Sequence, residues 1–130
     1  MIAIDSSSFI AYLAGVGGAD VAAVEEALAA KHGCLPPVVL TELLSDPRLP
    51  RVVDRLLRQL PLLPLSDGYW ARAGALRARV LASRRKAPLA DTLIAQSCLD
   101  HDVPLITRDL DFRHFERLTE LKLVPSPAGA

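Results

Sequence analysis

Val103-Pro104-Leu105-Ile106-Thr107-Arg108-Asp109 is an apolar run that reads as a strand and is followed at once by an acid; Met1-Ile2-Ala3-Ile4-Asp5 repeats the pattern at the N-terminus. Between them the apolar residues alternate between strand-like and helical spacing, which predicts parallel pairing. In an open parallel sheet the carboxyl ends of the strands line the ligand crevice, so acids just past those ends converge from opposite ends of the chain.

Outward from these two runs, the serines at 6–8 offer N-caps to a helix through Phe9, Ile10 and Leu13. Gly15, Gly17 and Gly18 read as a flexible break. Val21, Val24, Ala27 and Leu28 recur at helical spacing, with Gly33 as a C-cap and Cys34-Leu35 as the second strand. Pro36-Pro37 opens a helix over 38–44, and Pro47 and Pro50 punctuate the step to another over 52–60. Leu62-Leu63, between Pro61 and Pro64, reads as the third strand. Ser66 caps a long helix over 67–83, and a loop at 84–87 leads to Pro88 and a helix through Leu99. Leu105-Ile106 is the fourth strand and 121–124 a candidate fifth. The expectation is an α/β fold with a central parallel sheet of four to five strands and helices on both faces, one unit over 1–124 with a loose tail at 125–130.

The 130-residue chain is 51% hydrophobic and 23% charged, enough apolar content for a core without disulfide or metal staples. No run approaches the roughly 18 apolar residues that cross a bilayer. The N-terminus lacks a basic segment and meets an acid at position 5, so no signal peptide is expected and a cytoplasmic location is the default. Cys34 and Cys98 sit among apolar neighbours without zinc-ligand spacing and read as buried free thiols. A net charge of zero leaves nucleic-acid binding to a local patch.

Four carboxylates carry the chemical argument. Asp5 reads equally as an N-cap, and Asp109 as an ordinary turn acid. Asp91 discriminates better: on a helix from Pro88, Ile94, Ala95 and Cys98 share its face, so the carboxylate points inward or into a cleft. The helix dipole at its first turn also favours an acid there. Glu42 interrupts an apolar helix at a polar edge with Thr41 and Ser45, a solvated edge or a ligand. Asp111 repeats the acid two places after Asp109 and suits either an outer metal position or solvent. Ser7 and Thr107 are placed to orient carboxylates or waters, or to cap. Convergent carboxylates repel unless a cation sits between them, and an all-oxygen set without His or Cys suits Mg²⁺ or Mn²⁺. The histidines, His32, His101 and His114, lack metal spacing and read as surface residues.

Arg72, Arg77, Arg79, Arg84, Arg85 and Lys86 form an acid-free stretch. The helical arginines read as a solvated face. Arg84-Arg85-Lys86, in the loop ahead of Asp91, suits contacts to a phosphate backbone at the mouth of an acidic site.

Asp5-Ser6-Ser7 after a strand, Glu42 within Leu40-Thr41-Glu42-Leu43-Leu44, Leu89-Ala90-Asp91-Thr92-Leu93-Ile94-Ala95, and Leu105-Ile106-Thr107-Arg108-Asp109-Leu110-Asp111-Phe112 together resemble the PIN-domain family. More narrowly, they resemble the VapC-type toxins of toxin–antitoxin pairs. Each motif is weak alone; four in order across residues 1 to about 118 are specific. The resemblance implies a three-layer α/β/α PIN fold and Mg²⁺- or Mn²⁺-dependent endoribonuclease activity. It maps Asp5, Glu42, Asp91 and Asp109 onto the family's acidic quartet and Asp111 onto a more variable fifth acid. It further implies a homodimer and a cognate antitoxin whose C-terminal segment covers the site. The 84–86 loop belongs to a region that varies in the family, and the short segment between the first two acids implies reduced clip-like helices there.

Three other readings remain open at this stage. One is a PIN nuclease that is not a toxin, and a second is a PIN-like binding partner without activity. The third is a receiver-like phosphoacceptor built on Asp67 and Lys122, which leaves Glu42 and Asp91 unexplained.

Overall fold

Ala3 and Ile4 are wholly shielded from solvent in β1 (Ile2–Ile4), the pivot of the computed structural model, which describes residues 1–126. β2 (Gly33–Cys34), β3 (Leu105–Ile106) and β4 (Leu123–Val124) complete a parallel sheet in the order β2-β1-β3-β4. Ile4 stands opposite Ile106, and the Asp5 amide donates to the Ile106 carbonyl at 2.9 Å. The chain therefore leaves β1 toward one neighbour and later returns on its other side. That reversal of strand order opens a crevice at the carboxyl ends of β1 and β3.

Among the described residues, seven α-helices connect and cover these strands: α1 (Ser6–Leu13), α2 (Ala19–Ala29), α3 (Pro37–Leu44), α4 (Arg51–Gln59), α5 (Tyr69–Ala82), α6 (Leu89–His101) and α7 (Arg113–Leu118). A 3₁₀ turn at Leu110–Phe112 leads into α7. Phe9, Leu35, Val39, Leu57, Ile94, Phe112 and Phe115 are fully buried and join the sheet residues in one core. No helix of the described residues is long and apolar enough to cross a membrane. Cys34 and Cys98 are free and buried, as expected, and burial pushes the Cys34 thiol up to about 11.

The α/β architecture with a parallel sheet is the one expected, but the strands differ. Leu62 makes only an isolated parallel bridge to Leu35, although the Leu63 amide reaches the Leu35 carbonyl at 3.0 Å. Pro61 and Pro64 flank that pair and supply no amide donors, so the ladder cannot extend. The fourth strand is instead β4, within the stretch read as a candidate fifth. Gly33 is not a C-cap; Ala30 ends α2, and Gly33 lies in β2, where a Cβ would meet the Ile4 Cδ1 at 3.1 Å. Ser66 does not cap α5, which starts at Tyr69 behind Gly68 (φ 81°); the Ser66 hydroxyl donates to Asp100 instead. α6 continues to His101 before Asp102 closes it in a left-handed conformation (φ 51°). The turn and helix over 110–118 add elements beyond those the sequence pattern predicts. Of the tail expected from Pro125, residues 125 and 126 are exposed, and 127–130 lie outside the described residues.

Candidate active site

Asp5 emerges from β1 at the N-cap position of α1, yet its side chain makes no cap hydrogen bond. It is buried, and its Oδ2 accepts from the Ser7 hydroxyl at 2.6 Å and from the Thr107 hydroxyl at 2.8 Å. Thr107 follows β3, so the register of the two central strands brings this hydroxyl to Asp5. Burial raises the Asp5 pKa above the ordinary range; the two hydroxyls pull the other way, and the charge of Asp109 adds to the rise. The two residues expected to orient a carboxylate are thus the ones that hold Asp5.

Asp109 starts the 3₁₀ turn, its amide donating to Thr107 Oγ1 at 3.0 Å and its Oδ1 accepting from the Asp111 amide at 2.9 Å. The turn carries Asp111 back toward Asp109. Asp91 joins them from the first turn of α6, where Pro88 stands at the N-cap position. One carboxylate oxygen from each of Asp91, Asp109 and Asp111 lies within 4.8 Å of the others. Burial, then the charges of Asp109, Asp5, Glu42 and Asp111, push the Asp91 carboxyl up to about 7. Glu42 is exposed on α3, and its Oε1 accepts from the Ser6 hydroxyl at 3.0 Å. Partial burial raises its pKa, and Asp5 contributes to the rise.

All five acids are therefore electrostatic neighbours, in three settings. Asp91, Asp109 and Asp111 form a tight cluster, Asp5 lies beside it in a hydroxyl cradle, and Glu42 borders the open side. Asp111, the acid whose role the sequence leaves between ligand and solvent, is inside the cluster. Burial, reinforced by the neighbouring carboxylates, moves Asp91 toward neutrality; a cation offsets both, and the oxygen-only donor set fits a hard divalent ion.

The sequence model of the PIN domain matches residues 2–118. The chain belongs to the PIN-domain family. The protein named ribonuclease VapC11 of Mycobacterium tuberculosis is 31% identical over 130 residues, spanning 94% of this chain and 96% of that one. Among solved structures, VapBC-1 from nontypeable Haemophilus influenzae superimposes with a TM-score of 0.72 at 18% identity, covering 95% of this chain and 96% of that one. VapBC2 from Rickettsia felis, bound to a DNA fragment from its promoter, gives 0.68 at 22% identity, covering 95% and 97%. At these identities the two structures speak for the PIN fold.

One element of this PIN domain escaped the sequence reading. Asp20, buried at the start of α2, receives two hydrogen bonds from Arg108, Nε to Oδ2 at 2.8 Å and Nη2 to Oδ1 at 3.1 Å. The Ser8 hydroxyl adds a third at 2.8 Å. Arg108 precedes Asp109, so the pair ties the strand-end loop to α1 and α2. Gly18 belongs to the same clamp: with φ 146°, a Cβ there would lie 2.7 Å from Asp20 Oδ1. At Gly18 the glycine break is a close approach, whereas a Cβ at Gly15 or Gly17 would meet nothing within 4 Å. A signal for Asp20 was present, since it shares the apolar face of Val24 and Ala27, the argument already applied to Asp91.

The guanidinium of Arg108 holds the Asp20 carboxyl below the usual range. Its contribution to stability is present above the ordinary aspartate pKa and is lost as pH falls through the lowered one. Asp20→Asn is expected to cost about 1–3 kcal/mol at neutral pH, toward the lower end because Arg108 is partly exposed. Thermal melts at pH 7 and in strong acid check this: the gap from wild type should shrink in acid, and a constant gap contradicts the ion-pair account.

The arginines on α5 are not the solvated face that the sequence suggests. Arg72 pairs with Asp100 at 2.6 Å, Arg77 donates to the Ala87 carbonyl and Arg79 to the Leu118 carbonyl. These three tie α5 to its neighbours rather than forming a merely solvated face. Arg84, Arg85 and Lys86 are exposed in the loop entering α6. His32 is exposed, but His101 meets the Pro64 carbonyl at 2.6 Å, and His114 is half-buried with Nε2 3.9 Å from Asp111. The histidines are therefore not uniformly surface residues. Asp67 sits in the exposed turn ahead of α5, beyond the isolated Leu62 bridge, and Lys122 is exposed ahead of β4.

Proposed function

We propose that this PIN domain is a Mg²⁺- or Mn²⁺-dependent endoribonuclease, the toxin of a toxin–antitoxin pair, with residues 1–124 as the nuclease unit. The observation that carries the reading is near full-length similarity to a protein named ribonuclease VapC11, joined to acids gathered at the ends of β1 and β3. Asp91, Asp109 and Asp111, with Asp5 beside them, would hold the metal directly or through water. When bound, such a cation supplies Lewis acidity at a phosphoryl oxygen and lowers the pKa of attacking water. Ser7 and Thr107 favour the ionised form of Asp5 against its burial and fix its orientation by donating to Oδ2. Glu42, tethered at Oε1 by Ser6, has Oε2 left to orient the attacking water or accept its proton. Arg84, Arg85 and Lys86 would hold RNA phosphates at the mouth.

An RNA substrate would put the working site in the cytoplasm. The remaining partners are a second copy of the chain and a cognate antitoxin. An apolar cavity of about 520 Å³, lined by Ile10, Leu13, Leu43 and Val53 and reaching Glu42, is a fitting seat for an antitoxin segment that covers the site.

Purified protein, free of any copurifying partner, should cut total RNA in Mn²⁺ into discrete fragments with 5′-phosphate ends. EDTA should abolish the cleavage. Cleavage that survives EDTA, or none despite bound Mn²⁺, contradicts the reading.

A further inference from the structure

A cavity of about 620 Å³ opens beside the acids and is lined in part by Asp20, Thr107, Arg108, Asp109, Arg113 and Leu123. Its volume is in the range that accommodates small ligands. Asp109 belongs to both the cavity lining and the acid cluster, so the two adjoin. Two of its lining residues are cations, but they differ in what they already hold. Arg108 is committed to Asp20 through two hydrogen bonds. Arg113 is half-buried, and its Nε is buried without a hydrogen-bond partner among the described residues. A guanidinium N–H taken out of water without an acceptor is costly, and such a group calls for an explanation. No carboxylate or carbonyl among the described residues pairs with the Arg113 guanidinium, which lines the cavity only half-buried, and its planar fork matches the oxygens of a phosphate entering there.

We propose that Arg113 binds a backbone phosphate of the RNA strand, next to the linkage held at the acids, in the cavity it shares with Asp109. The inference rests on the ribonuclease reading and adds a substrate-positioning contact on the side of the acids formed by the 107–113 segment. Here the phosphate is met by a charge fixed in a cavity, whereas the 84–86 loop offers charges on an exposed surface.

The test is fluorescence anisotropy of a labelled single-stranded RNA oligonucleotide, with Ca²⁺ in place of Mn²⁺, across a salt series. Arg113→Ala and Arg113→Gln should weaken binding about tenfold and lower the slope of log affinity against log salt by about 0.7, the loss of one single-strand phosphate contact. Arg113→Lys keeps the charge and should retain the wild-type slope. In Mn²⁺ cleavage assays the glutamine variant should raise KM more than it lowers kcat, while calorimetric Mn²⁺ affinity stays unchanged. Wild-type affinity and slope in Arg113→Gln would overturn the proposal while leaving the ribonuclease reading intact. Loss of slope in Arg113→Lys together with Arg113→Gln would also overturn it, since the residue would then act structurally. Normal RNA binding with impaired binding of a protein partner would assign the cavity to that partner instead. If wild type binds the oligonucleotide through Arg113 yet never cleaves RNA in Mn²⁺, the ribonuclease reading fails and the phosphate contact stands.

Discussion

Asp109→Asn is expected to reduce RNA cleavage in Mn²⁺ by more than about a hundredfold while the protein stays folded. The substitution is nearly isosteric, and an asparagine Oδ1 still accepts from the Asp111 amide that Asp109 now holds at 2.9 Å. The 3₁₀ turn should therefore persist, leaving the lost charge as the main change. Residues that merely orient a metal ligand typically cost 10–100-fold when removed, roughly the effect expected for Ser7→Ala or Thr107→Val, and a ligand should exceed that. Initial rates on a labelled RNA, paired with circular-dichroism melts, separate the two effects. Cleavage by Asp109→Asn at the wild-type rate would remove Asp109 from the catalytic set.

Asp91→Asn should act in opposite directions on stability and activity. In the metal-free protein its carboxyl titrates at about 7, whereas an unfolded aspartate titrates near roughly 3.9. Between those values the folded state binds a proton that the unfolded state has released, so stability falls as pH rises through the window. Asp5 and Glu42 are also raised and contribute with the same sign, while Asp20 and Asp100 are lowered and act only in more acidic solution. Metal-free wild type should melt higher at pH 5.5 than at pH 8. Asp91→Asn should melt higher than wild type at pH 8 by a few degrees and lose much of the pH dependence. It should also lose most of the Mn²⁺-induced rise in Tm, because a ligand stabilises only the state that binds it, and cleavage should fall with it. Equal melts of metal-free wild type at both pH values, or a lower melt for Asp91→Asn at pH 8, would contradict a buried Asp91 carboxylate crowded by its acidic neighbours.

The sequence carried the acids far because their meaning is local. Asp5 and Asp109 follow apolar strands, and Asp91 lies on the face of Ile94, Ala95 and Cys98; burial and direction follow from those neighbours alone. The alternation of strands and helices likewise specified an α/β fold with parallel pairing. Local pattern failed where two segments offered similar apolar pairs. Leu62-Leu63 and Leu123-Val124 both read as strands, and the flanking prolines confined the first to one bridge while β4 took the edge beside β3. Partner choice depends on long-range register and on available amides, neither of which is expressed in a short apolar run.

The same division holds at the site. That acids and hydroxyls gather around two strand ends was determined by the sequence. Tertiary structure alone decided that Asp111 joins Asp91 and Asp109, that Ser7 and Thr107 both turn to Asp5, and that Arg108 is held by Asp20. These contacts join residues up to about a hundred positions apart. Their distances are set by strand register and helix packing to within ångströms, whereas periodicity specifies only which face of an element a side chain occupies.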